Sequence, residues 1–173
     1  MTNTLIDRFK QITTFIFDVD GVLTDGTVNA LASGEMYRTF YIRDGYGIER
    51  AIKAGYRVAV VSAGNQDGVR KRLAFLGIND VFMGGPTDHK VNAYLGYLTR
   101  DSIPENQVLY MGDDLPDHAI LSRQTLLSTC PADATDEIQA VCDYVSPAVG
   151  GRGAVRDVIE QVMKAQENWA TWL

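Results

Sequence analysis

The sequence predicts an α/β fold, a doubly wound parallel sheet covered by helices on both faces. Short β-branched apolar runs alternate with segments of helical periodicity along most of the chain. Strands that alternate with helices form parallel sheets, and right-handed crossovers place the helices on both faces. With 173 residues, 46% of them hydrophobic, the chain can bury one full core, so we expect one domain over residues 1–173.

The elements follow in order along the chain. Strands are predicted at residues 13–18, 56–61, 81–83, 108–111, 126–128 and 144–145. Helices are predicted at residues 45–54, 66–76, 89–99, 116–123, 133–141 and 154–167. Asp44 and Asn65 can cap helix N-termini, and Gly55 and Gly77 stand where helices should end. Residues 84–86, Gly-Gly-Pro, predict a tight loop.

Residues 26–43 fit neither pattern and predict a β-hairpin. Residues 27–29 would form its first strand and residues 32–35 its turn. The returning strand, residues 36–42, contains aromatic and β-branched side chains. We therefore expect a flap at this place rather than a separate cap domain.

Composition excludes several function classes. The chain has 16 basic and 22 acidic residues, a net charge of −6, which argues against binding to nucleic acid. No apolar run comes near the roughly 20 residues of a membrane helix, and the first residues lack the basic and apolar regions of a secretory signal, so we expect neither feature. The two cysteines, Cys130 and Cys142, are expected to be reduced and buried. We expect a soluble cytoplasmic protein that contacts neither nucleic acid nor membrane.

Two carboxylates follow the first apolar run. Asp18 and Asp20 come directly before Gly21, and side-chain alternation in an extended chain would point both the same way. Two anions so close repel each other unless a divalent cation or a shared proton intervenes. The alternative is structural, since aspartates often cap loops by accepting hydrogen bonds from backbone amides.

Polar residues also follow other predicted strands. Ser62 ends the second strand, and Gly112, Asp113 and Asp114 follow the fourth. Lys90 begins the helix after the third strand. Ligands of doubly wound sheets bind beyond the carboxyl ends of the strands, so we expect these side chains to meet at one edge.

The residue set is suited to phosphoryl transfer. Asp18 is predicted to attack phosphorus and form an acyl phosphate that water then hydrolyses. Asp20 is predicted to act first as the acid and then as the base. Lys90 and Ser62 would supply an ammonium and a hydroxyl donor to the charge on the transferred group.

A Mg²⁺ ion is predicted at the same edge of the sheet. It prefers hard oxygen ligands, which Asp18, Asp113 and the backbone carbonyl of Asp20 would supply. Asp114 would orient ligands or waters beside it.

Other charged residues near these motifs are expected to have no catalytic part. Asp117 is predicted to be structural, and His89 and His118 to stay outside a site built from oxygen ligands. Residues 70–72, Arg-Lys-Arg, are predicted to be a solvated helix face that could lie near a neighbour's pocket in an oligomer.

These motifs resemble those of the haloacid dehalogenase superfamily. Residues 18–24 resemble its first motif, Ser62 its second, Lys90 its third and residues 112–117 its fourth. Three further segments resemble the capless sugar-acid phosphatases of this superfamily, typified by 3-deoxy-D-manno-octulosonate 8-phosphate phosphatase: residues 24–26, 40–48 and 150–157.

The resemblance implies a Rossmann-like fold and a Mg²⁺-dependent phosphomonoester hydrolase. It implies that the substrate is 3-deoxy-D-manno-octulosonate 8-phosphate or a related nonulosonate 9-phosphate. It also implies a homotetramer in which the flap and the C-terminal tail, about residues 167–173, close the site of a neighbouring subunit. The tail has two tryptophans and no charged side chain after Glu167, so we expect it to pack against another surface.

The resemblance also implies substrate-binding residues. Arg43, Arg152 and Arg156 would contact the substrate's anionic groups, although a flap charge or loop position is the alternative for each. Family members usually follow the second-motif hydroxyl with Gly-Arg or Gly-Glu, and that polar side chain helps to select the sugar. This chain has Ala63 and Gly64 there, so Ala63 takes a substrate-binding position without the usual selector.

Two other function classes remain open. A phosphoacceptor signalling domain also places an aspartate, a hydroxyl group and a lysine round Mg²⁺, but it lacks a partner acid equivalent to Asp20. A non-catalytic homologue with an assembly role is the other alternative, and the intact carboxylate set argues against it.

Overall fold

A computed structural model describes residues 4–85 and 89–169. The strands in these ranges are β1 Thr14–Phe17, β2 Asn29–Ala30, β3 Met36–Tyr37, β4 Arg57–Ser62, β5 Asp80–Met83, β6 Val108–Met111, β7 Leu127–Cys130 and β8 Tyr144–Val145. The α-helices are α1 Leu5–Phe9, α2 Ile42–Lys53, α3 Asp67–Phe75, α4 His89–Arg100, α5 Leu115–Leu121, α6 Asp136–Gln139 and α7 Ala154–Ala165.

Six strands form one parallel sheet in the order β5-β4-β1-β6-β7-β8. The chain runs outward from the central β1 through β4 to β5, and then crosses back to β6 on the other side of β1. This confirms the predicted doubly wound sheet. The strand order reverses at β1, so a ligand crevice is expected beyond its carboxyl end.

The central strand is apolar because both of its faces are covered. Phe15 and Phe17 point into a core that contains side chains of α2 and α7. Ile16, between them, points into a second core on the opposite face with side chains of α4 and α5. All three are fully buried, as expected for a strand inside a parallel sheet.

The predicted hairpin is confirmed, but it is shorter than expected. β2 pairs with β3 antiparallel, with Asn29 opposite Tyr37 and Ala30 opposite Met36. The prediction that the returning strand reaches Ile42 is wrong, because α2 begins at that residue.

The predicted role of Asp44 as the cap of α2 is also wrong, since Tyr41 holds the N-cap position. Asp44 is buried, and it caps a different helix. Its carboxylate accepts hydrogen bonds from the backbone N–H groups of Gly153 (3.2 Å) and Arg156 (2.8 Å) at the start of α7. One side chain thereby fixes the beginning of α2 against the beginning of α7.

Other helix boundaries are partly as predicted. Gly55 and Gly77 follow α2 and α3 with φ of +93° and +83°, which confirms the predicted ends. Gln66, not Asn65, holds the N-cap position of α3. α6 is shorter than the predicted residues 133–141, because Thr135 holds its N-cap position, and Asp133 before it accepts a hydrogen bond from the Gly150 backbone N–H (2.8 Å).

The first helix, α1, was not predicted from the apolar pattern. A capping box between Thr4 and Asp7 begins it, and that pair is a recognisable N-terminal signal. Cys130 is buried and Cys142 partly exposed, and both are free thiols. Across the described ranges, no helix has the length and apolar character to cross a bilayer. Parts of the predicted loop and tail, residues 86–88 and 170–173, lie outside the described residues.

Candidate active site

The chain turns sharply where it leaves β1. Asp18 is extended, and residues Val19–Leu23 then form a wide turn closed by a hydrogen bond from the Thr24 N–H to the Val19 carbonyl (3.0 Å). Within this turn Gly21 has φ +83°, and a Cβ there would lie 1.9 Å from Asp113 Oδ2. Glycine is therefore required by the backbone conformation and by the close approach of Asp113.

A pocket of about 260 Å³ opens beside this turn. It brings together the predicted catalytic and metal-binding residues from the ends of β1, β4 and β6 and from the start of α4. Its lining consists of Asp18, Asp20, Gly26, Ser62, Ala63, Gly64, Lys90, Asp113, Asp114, Pro116 and Asp117. Asp18 and Asp20 thus share the pocket, although a turn rather than strand alternation brings Asp20 there.

Lys90 lies between two buried carboxylates. Its ammonium is 2.9 Å from Asp18 Oδ2 and 2.9 Å from Asp117 Oδ1, and all three side chains are almost fully buried. Burial alone would lower the pKa of Lys90, but Asp117 and Asp18 outweigh burial and raise it. Lys90 therefore remains a cation held against Asp18.

One lysine does not neutralise this group of carboxylates. Burial and the neighbouring Asp117 together raise the pKa of Asp18 to about 8, although Lys90 opposes both. Burial likewise raises the pKa of Asp113 to about 7, with a further contribution from Asp117. Both shifts express the cost of gathering like charges away from water.

The cluster of three carboxylates is suited to binding a divalent cation. Asp18, Asp113 and Asp117 offer oxygens within 4.8 Å of one another. When all three carboxylates are ionised, the single Lys90 ammonium leaves two negative charges uncompensated. Asp18 Oδ1 and Asp117 Oδ2 are also buried with no hydrogen-bond partner. A hard dication would satisfy both the charge and the oxygens.

Asp117 does more than the sequence indicated. Its Oδ1 accepts hydrogen bonds from the Tyr110 hydroxyl (2.6 Å) and from Lys90 (2.9 Å). With Oδ1 fixed by two donors, Oδ2 is the oxygen without a partner. The available signal was its position within the run 112–117, which ends in a second acidic residue after Asp113 and Asp114.

Asp20 is bound by an arginine that sequence reasoning missed. Arg38, just after β3 in the hairpin, donates to both oxygens of Asp20, from Nε to Oδ1 (2.6 Å) and from Nη2 to Oδ2 (3.0 Å). The Arg38 side chain is only 6% exposed, whereas that of Asp20 is 36% exposed. No spacing rule links the two residues, since the contact depends on how the hairpin docks.

Ser62 and Asp114 have distinct local partners. The buried Ser62 Oγ accepts a hydrogen bond from the Gly64 backbone N–H (3.2 Å), which leaves the hydroxyl hydrogen for another acceptor. Asp114 caps α5 by accepting from the Leu115 backbone N–H (2.7 Å).

Neither histidine lines the pocket. His89 is exposed at the start of α4. A ring nitrogen of His118 lies 3.2 Å from Ser122 Oγ.

The three predicted substrate-binding arginines are not among the residues that line the pocket. Arg43 is exposed on the first turn of α2. Arg152 forms a 3.5 Å ion pair with Asp25. Arg156 lies over the ring of Trp169, with its guanidinium carbon 4.7 Å from the ring centroid.

The glycine-rich segment supports the turn after β1. The Gly151 N–H donates to the Val22 carbonyl (2.9 Å). A Cβ at Gly150 would lie 1.9 Å from the Gly21 carbonyl oxygen. These glycines therefore let the segment before α7 pack directly on the backbone that carries Asp20.

A larger groove, about 660 Å³ in volume, lies between the hairpin and α3. Its walls are formed by Gly34, Glu35, Met36, Tyr37, Arg38, Phe40, Asn65, Gln66, Asp67, Gly68, Val69 and Arg72. Arg38 lines this groove and contacts Asp20 of the pocket, so the two spaces are adjacent.

A doubly wound sheet with this set of strand-end carboxylates, hydroxyl and lysine defines a phosphatase of the haloacid dehalogenase type. No family model matches the chain. The chain is 36% identical over 162 residues to 3-deoxy-D-manno-octulosonate 8-phosphate phosphatase of Escherichia coli K12, covering 94% of this chain and 85% of the relative.

Solved structures agree. The phosphatase of that name from Yersinia pestis superposes with a TM-score of 0.92 at 35% identity, covering 96% of this chain and 89% of that one. The Moraxella catarrhalis phosphatase, solved with magnesium, phosphate and KDO, superposes with a TM-score of 0.92 at 31% identity, covering 99% of this chain and 97% of that one. The chain belongs to the 3-deoxy-D-manno-octulosonate 8-phosphate phosphatase family of the haloacid dehalogenase superfamily, as the motifs indicated. The signalling and non-catalytic alternatives are not favoured.

Proposed function

We propose that the protein hydrolyses the phosphate ester of a small acidic sugar, 3-deoxy-D-manno-octulosonate 8-phosphate or a related nonulosonate 9-phosphate. The observation that carries this proposal is the pocket in which Lys90 holds Asp18, with Asp20 at the same opening. The relatives of that name at 36% identity support the substrate class.

In the first step the Asp18 carboxylate attacks phosphorus. The bond from phosphorus to the sugar oxygen breaks, its electron pair leaves with that oxygen, and the oxygen takes a proton from Asp20. Lys90, 2.9 Å from Asp18, holds the nucleophile in place and offsets the charge on the phosphoryl oxygens. Ser62 donates its free hydroxyl hydrogen to one of these oxygens.

In the second step a water attacks the phosphorus of the aspartyl phosphate. Asp20, now a carboxylate, takes a proton from this water. The bond between phosphorus and the Asp18 oxygen breaks, which regenerates the Asp18 carboxylate and releases phosphate. One residue thus serves as the acid and then as the base.

The carboxylates of Asp18, Asp113 and Asp117 and the backbone carbonyl of Asp20 would hold Mg²⁺. When bound, the ion supplies positive charge to the phosphoryl oxygens and orients the phosphate for in-line attack. The two uncompensated negative charges in the pocket and the magnesium in the Moraxella catarrhalis relative support this assignment. Asp114 would act beside these ligands by orienting waters.

The groove offers room for the sugar acid. Ala63 and Gly64 line the pocket and Asn65 lines the groove, so small side chains separate the two spaces. Arg72 also lines the groove and adds positive charge beside the anionic sugar. We propose that further substrate contacts come from a neighbouring subunit, whose arginines would reach this site: Arg43, Arg152 and Arg156.

We also infer a homotetramer in which the hairpin and the C-terminal tail of one subunit close the site of another. Four large apolar side chains of the hairpin support this assembly because they are 43–49% exposed: Val28, Leu31, Met36 and Tyr37. The two free thiols favour a reducing compartment such as the cytoplasm.

A substrate panel tests the proposal. Phosphate release is measured at steady state for sugar-acid phosphates and for neutral sugar phosphates, with and without EDTA. We expect many turnovers, the highest kcat/KM for an octulosonate or nonulosonate phosphate, and loss of activity with EDTA that Mg²⁺ restores. One equivalent of phosphate per site would instead favour the signalling class. Equal kcat/KM for acidic and neutral sugars would remove the proposed substrate.

A further inference from the structure

Arg38 occupies both oxygens of the proposed acid. The two contacts to Asp20, 2.6 Å and 3.0 Å, form a bidentate pair. Such a pair is geometrically specific and stronger than a single ion pair. While the guanidinium binds both oxygens, it fixes the orientation of the carboxyl group, so that this group cannot turn towards the sugar oxygen that leaves phosphorus. Asp20 must therefore separate from Arg38 before it can contact the substrate.

Arg38 also has an unused donor. Its Nη1 atom is buried and has no hydrogen-bond partner, in a side chain that is only 6% exposed. A buried donor without a partner carries a desolvation cost, which an acceptor on a ligand would remove. Because Arg38 lines the groove, an anion bound there is placed to become that acceptor.

The segment that carries Arg38 is anchored by little strand pairing. The hairpin strands pair through only two residue pairs, Asn29 with Tyr37 and Ala30 with Met36. A hairpin of this length has little stability of its own. A small displacement of residues 36–40 would therefore shift the guanidinium from Asp20 towards the groove with little loss of strand pairing, and an anion in the groove would replace the contacts that Arg38 gives up.

We propose that Arg38 makes the proposed acid available only when the groove holds an anion. The carboxylate of a phosphorylated sugar acid pairs with the guanidinium, Asp20 is released, and its carboxyl group turns to the leaving oxygen. The inference rests on the proposed function and deepens it, because it makes Arg38 a specificity-determining residue that acts through Asp20. The chemical class that it selects is a phosphate ester that also bears a carboxylate.

Two substrates and three variants test this inference. The substrates are 3-deoxy-D-manno-octulosonate 8-phosphate and glucose 6-phosphate, which has an alkoxide leaving group but no carboxylate. The variants are Arg38→Gln, Arg38→Lys and, as the matched loss of one positive charge away from the site, Lys10→Gln. Lys10 is exposed and lines neither the pocket nor the groove.

The kcat/KM values of the two substrates should respond differently to the loss of Arg38. We expect Arg38→Gln to lower kcat/KM for the sugar-acid phosphate by about 10- to 100-fold, the usual effect of losing a hydrogen bond to a charged group. The same variant should keep or raise kcat/KM for glucose 6-phosphate, since Asp20 is no longer held. Arg38→Lys should recover part of the sugar-acid activity, and Lys10→Gln should leave both values unchanged. An equal loss on both substrates would overturn the inference, because it would indicate a purely structural role.

A binding measurement keeps the inference testable without turnover. Calorimetry measures the affinity of the free sugar acid, and separately of inorganic phosphate, for the wild type and for Arg38→Gln. We expect the sugar acid to bind about tenfold or more weakly to the variant, while phosphate affinity changes little. Unchanged sugar-acid affinity would overturn the inference. A wild type that binds the sugar acid through Arg38 but releases no phosphate would contradict the proposed function instead.

Discussion

The pocket and the hairpin beside it are held in opposite ways. In the pocket, Lys90 lies 2.9 Å from both Asp18 and Asp117, all three side chains are buried, and Asp18 directly follows a strand with a core on each side. In the hairpin, Met36 and Tyr37 are 48% and 49% exposed. Groups that break bonds therefore lie on rigid elements, whereas groups that contact and select the substrate lie on adaptable ones.

The largest expected effect comes from the rigid side. Asp18→Asn removes the proposed nucleophile, so kcat should fall about a thousandfold or more. The fold should persist, because Lys90 keeps Asp117 as its partner and one of three crowded carboxylates is neutralised. Steady-state phosphate release measures the loss, and thermal unfolding checks the fold. Activity near that of the wild type would break the assignment of the rigid pocket to bond breaking.

A smaller effect is expected at Tyr110, which contacts the proposed metal ligand Asp117 and not the substrate. Tyr110→Phe removes the hydroxyl that fixes Asp117, and activity or Mg²⁺ affinity should fall about 10- to 100-fold. Tyr94→Phe is the matched control, because this neighbouring tyrosine donates to Glu105 instead (3.1 Å). Mg²⁺ titrations of activity and unfolding curves separate the two variants. Equal behaviour of both would mean that Tyr110 has only a structural part.

A third prediction concerns the junction between the two regions. Asp44→Ala leaves two N–H groups of α7 unpaired at the base of the hairpin segment, so unfolding should become easier by about 1–3 kcal/mol. Asn65→Ala, at the position where the sequence indicated a cap, should cost much less since Gln66 holds the N-cap position. Urea unfolding compares them, and a larger loss for Asn65→Ala would contradict the observed capping.

The smallest expected effect is that the stabilisation of the protein by a bound cation depends on pH. Burial raises the pKa of Asp18 to about 8 and that of Asp113 to about 7, from about 3.9 when unfolded. Because these pKa values are raised on folding, the two carboxyl groups contribute to the free energy of unfolding when they are protonated. This contribution is complete below about pH 4 and is lost as pH rises through 7 to 8.

A cation that pairs with the ionised carboxylates offsets this loss. The Tm difference between samples with and without Mg²⁺ should therefore widen by a few degrees between about pH 6 and pH 8.5. Scanning calorimetry measures this difference. A difference that narrows with pH would contradict the cation assignment to these carboxylates.

The parts of the molecule that could be predicted depend on short-range signals. The strands β1, β4 and β6 follow from their apolar runs, and the meeting of Asp18, Ser62 and Lys90 in one pocket follows from the rule that ligands bind beyond strand ends. These signals need no knowledge of how distant segments dock.

The remainder depends on contacts between distant residues. Asp44 serves a helix more than a hundred positions later in the chain, so the local pattern at residues 42–48 indicated the wrong partner. Arg38 reaches Asp20 only because the hairpin folds over the pocket. Asp117 resembles an ordinary helix residue until its contacts with Tyr110 and Lys90 are known.

Direct detection of the phosphoenzyme tests the central claim. The Asp20→Asn variant is mixed with acetyl phosphate, whose leaving group needs no proton, and is quenched in acid before peptide mass spectrometry. Without the base for the second step, a phosphoryl group should accumulate on the peptide that contains Asp18 and be absent in Asp18→Asn. A phosphoryl group on another residue, or sustained hydrolysis by Asp18→Asn with no phosphoenzyme, would contradict the account.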